Sequence, residues 1–181
     1  MIQMSKVELR KYFLHKREDI SDSEKVSLSS KINDNLCLQT EFIAAENIAS
    51  FISFRNEPVL AKLVNKSYFF PKINGLDLTF HSDKNGFGAN RFGIEEPNEK
   101  ISKPLNKIDI FLVPLISFNR NLFRVGFGGG YYDRTLTKLL KNKKRPKFFG
   151  ISYDFQLTES KFESKFDVRL DKIITDKKVY V

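Results

Sequence analysis

Apolar positions recur along this chain with two periods. Near the N-terminus, Leu9, Tyr12 and Phe13 stand at helical spacing behind Ser5 and Glu8, which read as a capping box. The spacing predicts a helix that buries those three side chains. Ser21 and Glu24 repeat the signal and open a second helix with Val26, Ile32 and Leu36 on its inner side. From Asn47 the pattern changes. Asn47 to Phe54 is short, β-branched and aromatic, and predicts a strand. Pro58 fits the first turn of a helix running to about Lys66. Ser67 to Phe70 reads as a second strand, ended by Pro71, and Leu76 to Phe80 alternates as a third.

Ile108 to Phe118 is almost continuously apolar, as a strand buried on both faces would be. Pro114 predicts that its regular pairing ends near there. A glycine-rich segment follows, and Leu136, Leu139 and Leu140 then mark a helix from Arg134 to Lys141. Lys147 to Tyr153 and Asp171 to Thr175 read as further strands. Strands alternating with helices predict an α/β fold, a layered α/β/α arrangement with a largely parallel central sheet. With no repeat or linker in view, residues 1–181 read as one domain.

The glycine segment carries the first chemistry. Gly126, Gly128, Gly129 and Gly130 fall within five positions, between Arg124 and Asp133. Glycine permits positive φ and leaves amides unshielded, so a loop of this kind can wrap phosphate oxygens. Arg124 adds a charged fork suited to phosphate, and Asp133 could ligate magnesium. The loop is not a Walker A sequence, because the Gly-Lys-Ser/Thr ending is missing. Nor does it match the dinucleotide fingerprint. A tight turn with backbone packed on backbone remains the other reading.

Composition narrows the partners. Lys plus Arg number 31 against 22 Asp plus Glu, a formal charge of +9, which points to anionic partners or to solubility alone. Cys37 is the one cysteine, and His15 and His81 are the only histidines. That excludes a disulfide framework, a cysteine-built zinc site and a multi-histidine site; a metal here would have oxygen ligands, as magnesium does. No apolar run is long enough to span a bilayer, and MIQMSKVELRKYF has no apolar core of a secretory signal. The expected setting is cytoplasmic, away from membranes.

GFGGGYYDR, following VPLISFNRNLFRV, resembles the signature of the 5-formyltetrahydrofolate cyclo-ligase family, also called methenyltetrahydrofolate synthetases. Four further blocks match in order: SKVELRKYF with Lys6 and Arg10, SFRNEP with Glu57, FGIEEP with Glu96 and Pro97, and FDVRLDKIIT with Asp167, Asp171 and Thr175. Leu115, Asn119, Leu60 and Phe166 stand where the family usually has glycine, aspartate, threonine and histidine. None of these departures removes a charge from the implied phosphate or metal site.

The resemblance implies an ATP-dependent ligase that forms a C–N bond. It would cyclise 5-formyltetrahydrofolate to 5,10-methenyltetrahydrofolate with ATP as co-substrate and Mg2+ as cofactor, releasing ADP and phosphate. Lys6, Arg10, Arg124, Gly126, Phe127, Gly128, Gly129, Gly130, Tyr131 and Tyr132 are then expected to bind ATP, with Arg124 also stabilising phosphoryl charge. Ile52 and Glu57 are expected to bind folate, and Asp133 and Asp167 to hold the metal. Without the resemblance, Lys6 and Arg10 read as a solvated helix face, Glu57 as an exposed loop carboxylate, Asp167 as a turn residue and the tyrosines as core. The implied partners are these small molecules, with neither nucleic acid nor membrane, for a monomer or weak homo-oligomer. Two alternatives stay open: a basic nucleic-acid-binding protein, favoured by the charge and by Lys138 to Lys147, and an ATP-using enzyme on another small metabolite.

Overall fold

A computed structural model describes residues 3–181. The chain opens with helices α1 (Lys6–Glu18), α2 (Asp22–Cys37) and α3 (Thr40–Ala44). Strands β1 (Asn47–Ala49), β2 (Ser67–Asn74), β3 (Asp77–His81), β4 (Phe87–Ala89), β5 (Glu95–Pro97) and β6 (Ser102–Lys103) follow. Then come β7 (Ile110–Pro114), β8 (Ser117–Phe118), β9 (Arg124–Val125), α4 (Tyr131–Thr137), β10 (Lys147–Ile151), β11 (Lys172–Ile174) and β12 (Val179–Tyr180).

The main sheet runs β12-β11-β10-β7-β1-β2-β3-β6. Its centre, β11-β10-β7-β1-β2, is parallel, and β12, β3 and β6 extend it antiparallel. Alternation within the buried strands separates two cores. Phe111, Val113, Phe148 and Ile173 pack with Leu136 and Leu139 on the α4 side. Ile110, Leu112, Phe149, Ile151 and Ile174 pack on the other side with Ile32 and Leu36 of α2 and Phe42 of α3. This is the layered, mostly parallel α/β arrangement that the sequence predicts. A third cluster joins Leu9 and Phe13 of α1 to Ile116 and Val125.

Both capping boxes form: Ser5 and Ser21 accept from the backbones of Glu8 and Glu24, whose side chains reach back. Each satisfies helix-start amides that would otherwise lack partners. The helices bury narrower stripes than predicted. Tyr12 and Val26 are exposed, as is Leu140.

Other boundaries differ for physical reasons. β1 stops at Ala49 rather than Phe54. No helix follows Pro58; Val59 N–H donates to Ser29 Oγ at 3.0 Å and Ala61 N–H to Asn33 Oδ1 at 2.9 Å, so α2 side chains hold this backbone in a non-helical course. β2 runs through Pro71. Its pairing with β1 ends at Phe69, so the missing N–H falls where no strand needs it. β7 does end at Pro114, as predicted. The chain then leaves the sheet, and Ser117–Phe118 pairs with Arg124–Val125 in a two-stranded ribbon. Asn119 organises its turn, its Oδ1 accepting from Asn121 and Phe123 N–H groups at 3.1 and 3.2 Å. α4 begins at Tyr131 and ends at Thr137, earlier than predicted at both ends.

This topology makes a crevice. β1 and β7 are parallel neighbours at the centre of the sheet. The chain leaves β1 towards β2 and leaves β7 towards β10, on opposite sides. Loops that diverge from the carboxyl ends of adjacent parallel strands open a ligand site between them. The segment with Glu57 follows β1, and the glycine loop follows β7 and its ribbon.

Candidate active site

α1 reaches the glycine loop across most of the sequence. Arg10 Nε donates to Gly126 O at 2.8 Å. Its guanidinium lies against Gly128, where an added Cβ would stand 3.4 Å from Arg10 Cζ. Lys6, one turn earlier, bonds both oxygens of Asp167 at 2.5 and 2.6 Å. Asp167 also accepts from Ser164 N–H and Oγ. Burial pushes the Asp167 carboxyl up, but the bonds from Lys6 and Ser164 outweigh it and hold the group below the usual aspartate value.

The loop itself is shaped by two left-handed glycines, Gly128 at φ 103° and Gly130 at φ 67°. Gly129 is different: a Cβ there would meet the Tyr131 ring at 2.7 Å, so close approach is its reason. Arg134 braces the loop from beneath, with Nη2 donating to Gly129 O at 2.8 Å and Nε to Leu76 O at 2.6 Å. Phe127 projects outward and is exposed. Tyr131 and Tyr132 pack against the α4-side core.

Arg124 is buried at the ribbon's end. Its Nη2 lies 2.9 Å from Asp133 Oδ1 and its Nη1 donates to Val168 O. Asp133 Oδ1 also accepts from Val168 N–H at 3.0 Å. Its Oδ2 takes no hydrogen bond among the described residues. Asp133 and Asp167 are thus drawn to one side of the loop, through the backbone next to Asp167. Among the described residues, no group of three or more His, Cys, Asp or Glu side chains could hold an ion unaided. Magnesium usually takes one or two carboxylates plus substrate phosphates. The free oxygen of Asp133 beside an amide-rich loop fits that donor set; Asp167 fits once Lys6 is drawn away.

On the other side of the crevice stands Glu57. It is 3% exposed, the reverse of a free loop carboxylate. Its Oε2 accepts from Phe54 N–H at 3.2 Å, and its Oε1 lies 3.7 Å from Arg17 Nη1. Burial pushes its carboxyl up to about 7, against the pull of Arg17. The turn that carries it holds Arg55 at φ 48° and Asn56 at φ 55°, sparsely populated for side chains other than glycine. Arg17 Nε on Arg55 O, Asn56 Nδ2 on Arg17 O, and Tyr153 OH on Asn56 O fix that turn from three directions. Ile52 is half-buried against the α2-side core.

Two arginines that brace this region escape the sequence reading. Arg134 lies inside the helix signal. Arg17 continues the Leu9, Phe13 stripe at the next i+4 step, and a charge on an apolar stripe is the signal that could have found it. Two open surface clefts, one beside α2 and Val59–Ala61 and one beside Lys62–Phe69, do not touch the glycine loop.

The sequence model of the 5-formyltetrahydrofolate cyclo-ligase family matches residues 2–176. A 5-formyltetrahydrofolate cyclo-ligase of Mycoplasma genitalium is 37% identical over 172 residues, 94% of this chain and 98% of that protein. One of Escherichia coli is 27% identical, over 91% of this chain and 97% of its own. The solved 5,10-methenyltetrahydrofolate synthetase of Mycoplasma pneumoniae superposes with a TM-score of 0.76 at 31% identity, covering 96% of this chain and 99% of that one. That of Aquifex aeolicus gives 0.79 at 32% identity, covering 97% and 92%.

Proposed function

The chain belongs to the 5-formyltetrahydrofolate cyclo-ligase family, and from that footing we propose that it cyclises 5-formyltetrahydrofolate to 5,10-methenyltetrahydrofolate at the expense of Mg-ATP. One observation carries the reading. α1 docks so that Lys6 and Arg10 flank the glycine loop, while Glu57 stands buried behind the neighbouring strand. A triphosphate and a pteridine would then meet over the β1–β7 crevice.

The chemical difficulty is a formyl oxygen that leaves poorly. Transfer of the γ-phosphoryl group from ATP to that oxygen makes it a good leaving group. N10 of the folate then attacks the formyl carbon, and phosphate departs as the ring closes. Both nucleophiles belong to the substrate, so the protein's task is alignment and charge stabilisation. Arg10 and the amides of Gly126 to Gly130 cradle the phosphates, with Phe127, Tyr131 and Tyr132 shaping the walls. Lys6 turns from Asp167 to the triphosphate. Arg124, fixed by Asp133 and Val168 O, holds positive charge where the transferring group becomes more negative. Glu57 accepts N–H bonds from the pteridine, and Ile52 packs on it. Asp133, and Asp167 once Lys6 has moved, would hold magnesium, which would supply charge neutralisation on the phosphates.

The formal charge of +9 suits two anionic substrates better than it suits a nucleic acid, for no recognition motif accompanies it. The reading carries with it the cytoplasmic setting and the single-domain, monomeric or weakly associating form expected from the sequence. Purified protein with 5-formyltetrahydrofolate and Mg-ATP should produce the near-ultraviolet absorbance of the methenyl product. Active, folded protein that gives none would overturn the reading.

A further inference from the structure

The pair formed by Arg17 and Glu57 is incomplete as it stands. Both side chains are buried, at 0% and 3% exposed. Yet Nη1 and Oε1 are 3.7 Å apart, beyond a hydrogen bond. Burial opposes both charges: it lowers the proton affinity of Arg17 and raises that of Glu57, and the pair's attraction offsets neither fully. Arg17 spends Nε on Arg55 O and Nη1 on Leu115 O. Its Nη2 is buried with nothing to donate to, and so is the hydroxyl of Tyr132. Buried donors without partners are rare, and each asks for an acceptor.

Two aromatic rings flank this pair. Phe54 supplies the one N–H bond to Glu57 and lies 5.9 Å from Phe127. Phe127, from the glycine loop, has its ring 5.7 Å from the Arg17 guanidinium. A flat heterocycle packed against these rings, with a carboxylate and unspent N–H and O–H donors at its edge, would complete the open valences. The amide edge of a pteridine has that pattern: an amino group and a ring N–H to donate, and a carbonyl oxygen beside them to accept.

Resting on the proposed folate activity, we infer that Arg17 is a specificity-determining residue of the pteridine pocket. It anchors the carboxylate of Glu57 for the ring's N–H groups and keeps Nη2 for the ring's carbonyl oxygen. It also ties the two half-sites together, since α1 carries Arg17 at one end and Lys6 and Arg10 at the other. Arg17 is needed at this place rather than lysine because three directions must be served at once, and only a planar fork reaches Arg55 O, Leu115 O and the ligand together.

Charged and titratable groups facing Glu57 come from each packed element: Arg17 on α1, Lys25 on α2, Tyr132 on α4 and Tyr153 after β10. Of these, Arg17, 3.7 Å away, exerts the strongest pull on the carboxylate. Its loss should therefore move the acid limb of folate binding to higher pH.

The test uses the full chain as wild type, Arg17→Lys, Arg17→Met and Tyr132→Phe. Calorimetry with 5-formyltetrahydrofolate alone is followed by kinetics with Mg-ATP and a pH series. Arg17→Lys should weaken folate binding roughly tenfold, the worth of one charge-assisted bond, with the KM for ATP within about twofold. Arg17→Met should weaken it further and shift the acid limb upward, while Arg17→Lys leaves the limb in place. Tyr132→Phe, which removes one hydroxyl, should weaken folate binding by a smaller factor, and if Arg17→Met does not fold, the folate affinity of Arg17→Lys decides the point. Folate affinity unchanged in Arg17→Lys would overturn the inference. So would parallel losses in folate and ATP affinity with an unmoved pH limb, the mark of a structural role. No methenyl product from the wild type would overturn the activity and the pteridine ligand together; product with normal folate affinity in the variants overturns this inference alone.

Discussion

Lys6 Nζ and Asp167 Oδ1 are 2.5 Å apart although 161 positions separate them in the chain. In the proposed reaction both have other appointments, one with a phosphate and one with magnesium. The ligand-free pair therefore neutralises two ligand-seeking groups against each other. Lys6→Met should raise the KM for ATP about tenfold, because one phosphate contact is lost. The cost in stability should be only about 1 kcal/mol, since Lys6 is partly solvated and Asp167 keeps Ser164. Kinetics and a urea titration of the same variant check both figures.

Asp167 also predicts an acid sensitivity. Its folded value lies below its ordinary 3.8. The pair's contribution is thus complete above pH 3.8 and fades as pH falls through the lower folded value. Unfolding followed from pH 5 downward should show this loss in the wild type and a weaker one in Lys6→Met.

Glu57 predicts the opposite slope. Its carboxyl is raised from 4.5 to about 7. The stability tied to its proton is therefore full below pH 4.5 and lost as pH rises through about 7. The loss is on the order of 3 kcal/mol. Glu57→Gln should lack this slope, so its stability relative to wild type should improve between pH 5 and pH 8. Denaturant midpoints at the two pH values would show it, while folate turnover in the same variant should fall strongly.

At the glycine loop, Gly128→Ala and Gly129→Ala should fail differently. Gly128 holds φ 103°, a conformation costly for any side chain, while its new methyl would make only an ordinary contact with Arg10 at 3.4 Å. We expect a stability loss of about 1–2 kcal/mol and poorer ATP use. Gly129 has no backbone strain of this kind, but its methyl would meet the Tyr131 ring at 2.7 Å. That variant should shift Tyr131, visible in its fluorescence, and raise the KM for ATP with less change in folding.

Asp133→Asn keeps shape and removes charge. It should lower turnover roughly 10²-fold or more, as removal of one main electrostatic contributor to a transition state does. Arg124, buried beside it, would lose its only carboxylate partner within 4.0 Å among the described residues. A magnesium titration of turnover, with folate affinity measured in parallel, separates the two effects: folate affinity should stay near normal.

Much of this architecture is written in local pattern. The capping boxes start both long helices where Ser5 and Ser21 stand, and the apolar run from Ile108 marks the central strand. Residues 58–66 were not legible, because Ser29 and Asn33 of α2 hold that backbone, and no local signal reports a partner thirty positions away. Pro71 misleads for the same reason: whether proline ends a strand depends on which neighbours are still paired. The glycine cluster was legible as a loop leading into a helix, yet which glycines need positive φ was not. The burial of Glu57 was hidden as well, since its partner Arg17 lies forty positions upstream, beyond the Lys6–Arg10 pair and the apolar residues for which that helix was read.

The long reach of α1 bears on how the molecule comes into being. Synthesis delivers this helix well before its partners: Gly126 and Asp167, which it must grip, arrive 116 and 161 residues after Arg10 and Lys6. Contacts between such distant points close slowly. The sheet can begin to assemble around β1, β2 and β7 with the C-terminal end of α1 already held through Arg17, Arg55 and Leu115, while Lys6 and Arg10 at its other end still lack their partners. The bonds from Arg10 to the glycine loop and from Lys6 to Asp167 are therefore among the last features to form on the ribosome, and a chain stalled short of Asp167 would carry a partly built scaffold without the second of them.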